Sequence, residues 1–167
     1  MLLKAGAAAL LFSLAMIADA GAQDCGREAF AGVVSKANAE LSAMNDANKR
    51  LFQEKLQLLK ARAGWSDADF VALATPYVRD ERIAAFNAEN QALLGRVSEL
   101  GAPGRSVASL AGAAPSFAPS TDNRCAMLDT LRRLMAGLVE NSRAKWAYMT
   151  GKLDGALQAA GGTASAR

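Results

Sequence analysis

The sequence predicts an all-α protein: an elongated, antiparallel three-helix bundle running up, down and up, stapled by one disulfide. Three observations lead there. Apolar residues recur at steps of three and four through three long stretches. Three of the four prolines, with three glycines, fall in a single stretch before the last of these. The two cysteines stand at the starts of the first and third stretches.

The chain has 167 residues, 51% of them apolar and 6% aromatic. That length suits one domain, and the apolar fraction is too high for a disordered chain. Histidine is absent, which removes the commonest general base and metal ligand together. Two cysteines cannot form a four-thiolate zinc site or hold an iron–sulfur cluster unaided, and without histidine or C-x-x-C-H a haem site is not expected. No metal and no cofactor are therefore expected.

Residues 1–22 read as a cleaved secretory signal. Lys4 precedes an uncharged run from Ala5 to Ala18, followed by Ala20-Gly21-Ala22 in the A-x-A pattern. As helix that run spans roughly 21 Å, short of the ~30 Å hydrocarbon core, so no stable membrane insertion is expected after cleavage. Lys4 and Asp19 leave together, and the net charge stays at +3. This excess is too small to argue for nucleic acid.

The bundle domain is expected over residues 23–160. Between Cys25 and Ala63, Phe30, Val33, Val34, Ala37, Leu41, Met44, Leu51, Phe52, Leu56 and Leu59 make one apolar face, and Gly64 ends the helix. Ser66 caps a second helix, with Asp67 and Asp69 suited to its positive end. Thr75-Pro76 predicts a break or kink. From there to Leu100, Ile83, Phe86, Asn90, Leu93 and Val97 continue in heptad alternation; Asn90 is expected to set register by bonding to Ser35 or Asn38. Residues 101–122, with three prolines, read as a long loop. Asp122 is expected to cap the third helix, residues 123–160. Its apolar face is Cys125, Leu128, Leu131, Leu134, Met135, Leu138, Val139, Trp146, Met149, Leu153 and Leu157. Residues 161–167 read as a disordered tail.

The three stretches span about 58, 52 and 57 Å as helices, which favours antiparallel packing. That topology puts Cys25 and Cys125 at one end, where an oxidising compartment lets them join as a structural staple. An acidic middle helix between two basic ones suits the same arrangement. Leu51 and Phe52 are expected level with Tyr77 and Trp146 in an aromatic core layer.

Candidate chemistry is sparse. The carboxylate pair Asp67/Asp69 falls at a helix start, and Asp80/Glu81 is expected to point to two faces of one helix. Neither forms the facing pair of acids that glycosidic chemistry needs. Met44, Met127, Met135 and Met149 are spaced as core filler. One surface stands out: Arg143, Lys145, Tyr148 and Lys152, around Trp146, interleave cations with aromatic rings in a pattern suited to a protein partner. The sequence thus points to a non-enzymatic periplasmic or secreted protein, engaged in protein–protein interaction or scaffolding with an envelope partner. The alternatives are a periplasmic chaperone-like protein binding exposed apolar segments and, more remotely, an enzyme or small-ligand binder without a recognisable motif.

Overall fold

The computed structural model describes residues 25–101 and 121–164. The expected signal peptide, all but the ends of the expected loop, and residues 165–167 lie outside the described residues. Among the described residues the chain is helical, with α1 over Arg27–Ala63, α2 over Asp67–Val78, α3 over Glu81–Gly101 and α4 over Thr121–Ala164. None of these helices is long and apolar enough to cross a membrane.

Each boundary has a local cause. Gly64 adopts the left-handed conformation at φ 67°, where a side chain would be strained. It lets the Trp65 amide reach back to the Lys60 carbonyl at 3.0 Å, and the Gly64 amide to Ala61 at 3.4 Å, closing α1. Ser66 then caps α2, its Oγ accepting from the Asp69 amide at 3.2 Å and donating to the Asp69 carboxylate at 2.6 Å.

The second stretch is two helices, and the break is not at Thr75-Pro76. Pro76 sits inside α2, which continues to Val78. Proline removes one amide from the ladder, and Thr75 turns its hydroxyl back to the Val71 carbonyl at 2.7 Å. The chain leaves helical geometry at Arg79 (φ −141°, ψ 112°), and α3 restarts under an Asp80 cap. Asp80 Oδ1 accepts from the Ile83 amide at 2.8 Å, and its carbonyl accepts from the Ala84 amide at 2.9 Å. An aspartate two residues beyond the last ordered carbonyls of α2 competes successfully for the new start. At the far end, α4 begins at Thr121, with Asp122 inside its first turn. It runs on to Ala164, into the stretch expected to be a disordered tail.

α4 is the spine. α1 and α3 each pack along it and scarcely touch one another, and α2 meets it more briefly. α1 runs in the same direction as α4: Cys25 is bonded to Cys125 with 5.0 Å between Cα atoms, Asn45 meets Trp146, and Lys55 meets Asp154. α3 runs the opposite way, with Asn90 beside Asn141 and Asp80 beside Lys152.

The core has two apolar parts. Near the disulfide, Ala37, Leu131, Met135 and Val139 are buried, with Phe30, Val33, Val34, Leu41, Val97 and Leu100 half-buried around them. At the other end Phe52, Leu59, Ile83, Met149, Leu153 and Leu157 form a larger cluster, joined by Leu56, Trp65, Tyr77, Trp146 and Tyr148. A polar belt lies between them. Asn141 donates to Asn90 Oδ1 and to the Phe86 carbonyl, both at 2.8 Å, and Asn90 reaches the buried Ser142 at 3.4 Å. Asn90 therefore bonds to α4 and not to Ser35 or Asn38 on α1. α3 lies against α4, so α4 supplies the nearest polar partners.

The expected aromatic layer is present in part. Phe52 meets Trp146 edge-on at 6.2 Å between ring centres, and both share a cluster with Tyr77. Leu51 does not join them and is 41% exposed. Adjacent helix residues point about 100° apart, and Phe52 takes the position facing α4.

Candidate functional site

The four residues singled out in the sequence do not share one surface. Lys145, Tyr148 and Lys152, spaced three and four apart, line the side of α4 that faces α3 and α2. Arg143 points to the α1 side, where it bonds Glu40 at 3.1 Å and Glu140 at 2.5 Å. Lys145 donates to Asn87 Oδ1 at 2.7 Å.

Tyr148 and Lys152 converge on Asp80, at the α2–α3 break. The Tyr148 hydroxyl donates to Asp80 Oδ2 at 2.8 Å, and Lys152 Nζ approaches the same oxygen at 2.5 Å. Lys152 also donates to the Pro76 carbonyl at 2.5 Å, one of the backbone acceptors left open where α2 ends. α2 has no basic residue in its own last turn, so Lys152 supplies the cation from α4. The Arg82 guanidinium lies 4.7 Å from the Tyr148 ring centre, and Phe86 packs on that ring at 6.2 Å.

These contacts set the electrostatics. The hydrogen bond from Lys152, aided by the Ile83 amide and the Tyr148 hydroxyl, holds the Asp80 carboxyl down at about 2. The same bond to Asp80 pushes the Tyr148 phenol above its ordinary value, because ionisation would bring two anions together. Asp67 is lowered by its hydrogen bond and charge contact with Lys60. Each carboxylate pair noted in the sequence is thus found at a helix start. Asp80 and Glu81 stand at the junction, where the sequence reading had placed them within one helix. The sequence reading also missed Asp80 as a hub. The available signal was an Asp-Glu pair immediately before the Ile83–Phe86–Asn90 periodicity, which is a cap signature.

Among the described residues, no three cysteine, aspartate or glutamate side chains gather as a set of metal ligands. The concave features are grooves between helices. One, of about 620 Å³, lies between α1 and α4 near the disulfide, bordered by Ala29, Gly32, Val33 and Lys36 on α1 and by Arg132 and Ala136 on α4. It meets a second hollow of about 380 Å³ at Arg143, where Met44, Leu51, Ala147 and Gly151 form the walls. From Ala29 to Leu51 this furrow follows α1 for about 33 Å. A third groove, of about 680 Å³, separates α1 from α3, with Phe30, Val34, Val97 and Leu100 in its walls. Most furrow residues are small or apolar, with Lys36, Asn48 and Thr150 among them, and its Arg132, Arg143, Glu40 and Asp154 are tied into ion pairs.

No protein-family model matches the chain, and no curated protein or solved structure matches it.

Proposed function

We propose that this protein is a non-enzymatic interaction or scaffolding protein of the cell envelope. In this reading it is a three-rod, up-down-up bundle: α1 ascends, α2 and α3 together form one bent descending rod, and α4 ascends. The observation that carries the reading is the furrow between α1 and α4. It has the length of about six helical turns, small residues in its walls and, Lys36 apart, charged groups already neutralised in pairs. Such a surface suits a partner helix, which brings its own apolar stripe and needs no strong electrostatic match. The Cys25–Cys125 bond, with the signal-like residues 1–22, supports export to the periplasm or beyond.

A photocrosslinking side chain placed at Leu51 or Ala147, in the native envelope, tests this. Discrete adducts from these two positions and none from Glu99 are expected. Identical adduct patterns from all three positions, or no adducts at all, would refute an interaction surface there.

A second reading, chaperone-like binding of apolar segments, is favoured by α2. Val71 is 74% exposed there, and Leu73 and Val78 are also exposed. Suppression of client aggregation that is lost on Val71→Ser and Val78→Ser would favour it over scaffolding.

A further inference from the structure

The two halves of α1 are held to the molecule by different means. From Asn45 onward the attachments are many: Asn45 accepts from the Trp146 indole at 2.7 Å, and Lys55 pairs with Asp154 at 2.5 Å. Phe52 and Leu59 are buried in the larger core cluster. Before Glu40 the picture changes. Among the described residues, no side chain from Arg27 to Ala39 makes a hydrogen bond or ion pair to another helix; the first is Glu40 with Arg143. Ala37 is the buried residue of this segment, and Phe30, Val33 and Val34 are half-buried. Grooves of about 620 and 680 Å³ flank it on both sides. The Cys25–Cys125 bond ties it covalently to α4, two residues before the helix begins.

We propose that Arg27–Ala39 is a redox-released arm, which a dithiol reductant frees from α4 while the remaining bundle stays assembled. The reductant's thiolate attacks the sulfur of Cys125, which is partly exposed where Cys25 is buried. The S–S bond breaks, Cys25 leaves as a thiolate and takes a proton, and the reductant is held as a mixed disulfide. Its second thiol then displaces Cys125, and the reductant departs as a cyclic disulfide, two electrons having passed to the protein. α4 does not follow the arm. Leu131 and Met135 keep the Val97 and Leu100 side of their cluster, and Leu93 stays packed on Gly137. The strip of α4 between Leu131 and Val139 opens to solvent, widening the furrow at its disulfide end. The proposal concerns the fold and stands whether or not that furrow receives a partner.

Hydrogen exchange read by mass spectrometry on the full chain tests it, in three states: oxidised, reduced with dithiothreitol, and as the Cys25→Ser/Cys125→Ser double variant. In the second and third states, amides of Arg27–Ala39 are expected to lose nearly all protection, while those of residues 45–63 and 81–93, although faster through the lower global stability, stay on the order of a hundredfold more protected than the arm. Unchanged exchange in Arg27–Ala39 would overturn the proposal. So would acceleration spread evenly along all four helices, or a double variant that has lost its helical circular dichroism, because the remaining bundle must hold without the bond.

Discussion

Asp80 shows how one side chain can serve two helices. Its Oδ1 starts α3 and its Oδ2 receives Lys152 and Tyr148 from α4, so the break between α2 and α3 is tied to the spine. The folded carboxyl titrates at about 2 against an ordinary 3.8. Between those values the unfolded chain binds more protons, so stability rises with pH there. The contribution is fully present above the ordinary value and lost as pH falls through the folded one. Asp80→Asn keeps an acceptor for the Ile83 amide but removes the charge. Acid unfolding followed by circular dichroism is expected to show a shallower loss of stability between about pH 4 and pH 2 in this variant. An unaltered acid limb would exclude Asp80 as a contributor. Tyr148 has the opposite sign: its raised value favours the fold below the ordinary phenol range, and that support is lost as pH rises through the folded value. In Asp80→Asn its ionisation, followed by ultraviolet difference absorbance, is expected at lower pH than in the parent. The contrast between Leu153 and Leu51 belongs to the same scale. Leu153→Ala removes a side chain with no exposed surface and is expected to cost about 3–4 kcal/mol in urea unfolding. Leu51→Ala, at the furrow surface, is expected to cost less than about 1 kcal/mol. Similar losses at both sites would mean that the furrow is closed in solution.

At the scale of helices, α4 was the most legible and α1 the least. Of the apolar face expected on α4, Leu128, Leu131, Met135, Leu138, Val139, Met149, Leu153 and Leu157 are buried. On α1 the same periodicity leaves only Ala37, Phe52 and Leu59 buried. A helix with neighbours on two sides needs a wide apolar face, and nearly every apolar residue on it finds a contact. α1 and α3 have one main neighbour each, so residues at the edge of their faces, Met44 or Phe86 among them, remain half-exposed. Phe86, expected in the core, packs against Tyr148 instead of entering it. Periodicity reports the direction a face takes and not the number of partners that cover it. Intrinsic preference is a separate matter. Gly155 lies in the interior of α4 and a methyl group there would meet nothing within 4 Å. Gly155→Ala is therefore expected to raise stability by roughly 0.5–1 kcal/mol in chemical denaturation. A loss of stability would reveal a close approach at that position.

For the whole molecule, the decisive feature is a covalent bond between residues separated by 100 positions. Closing a loop of that length is worth up to about 4.7 kcal/mol in the chain-entropy account. Against a total stability of ~5–15 kcal/mol this is a large share. Reduction is expected to lower Tm by on the order of 10–20 °C, with far-ultraviolet circular dichroism at room temperature little changed. Collapse of the helical signal at room temperature would mean that packing alone does not hold the helices, and an unchanged Tm that the bond is energetically idle. Packing asymmetry complements it: the aromatic, ion-paired end carries the larger core, and the bond secures the end where the core is thin.

Local chemistry was written along the chain. The helical class, the Gly64 stop, the Ser66 cap and the pairing of Cys25 with Cys125 follow from periodicity, backbone sterics and the need to satisfy helix ends, all of which act within a few residues or through one unique pair of thiols. The site of the α2–α3 break, the partner of Asn90, the burial of Phe52 over Leu51 and the dispersal of Arg143 from Lys145, Tyr148 and Lys152 were decided only in three dimensions. Each depends on which neighbouring helix stands opposite a given side chain, and that is fixed by how α1, α2 and α3 share α4 as their spine, a relation between distant segments that no local pattern encodes.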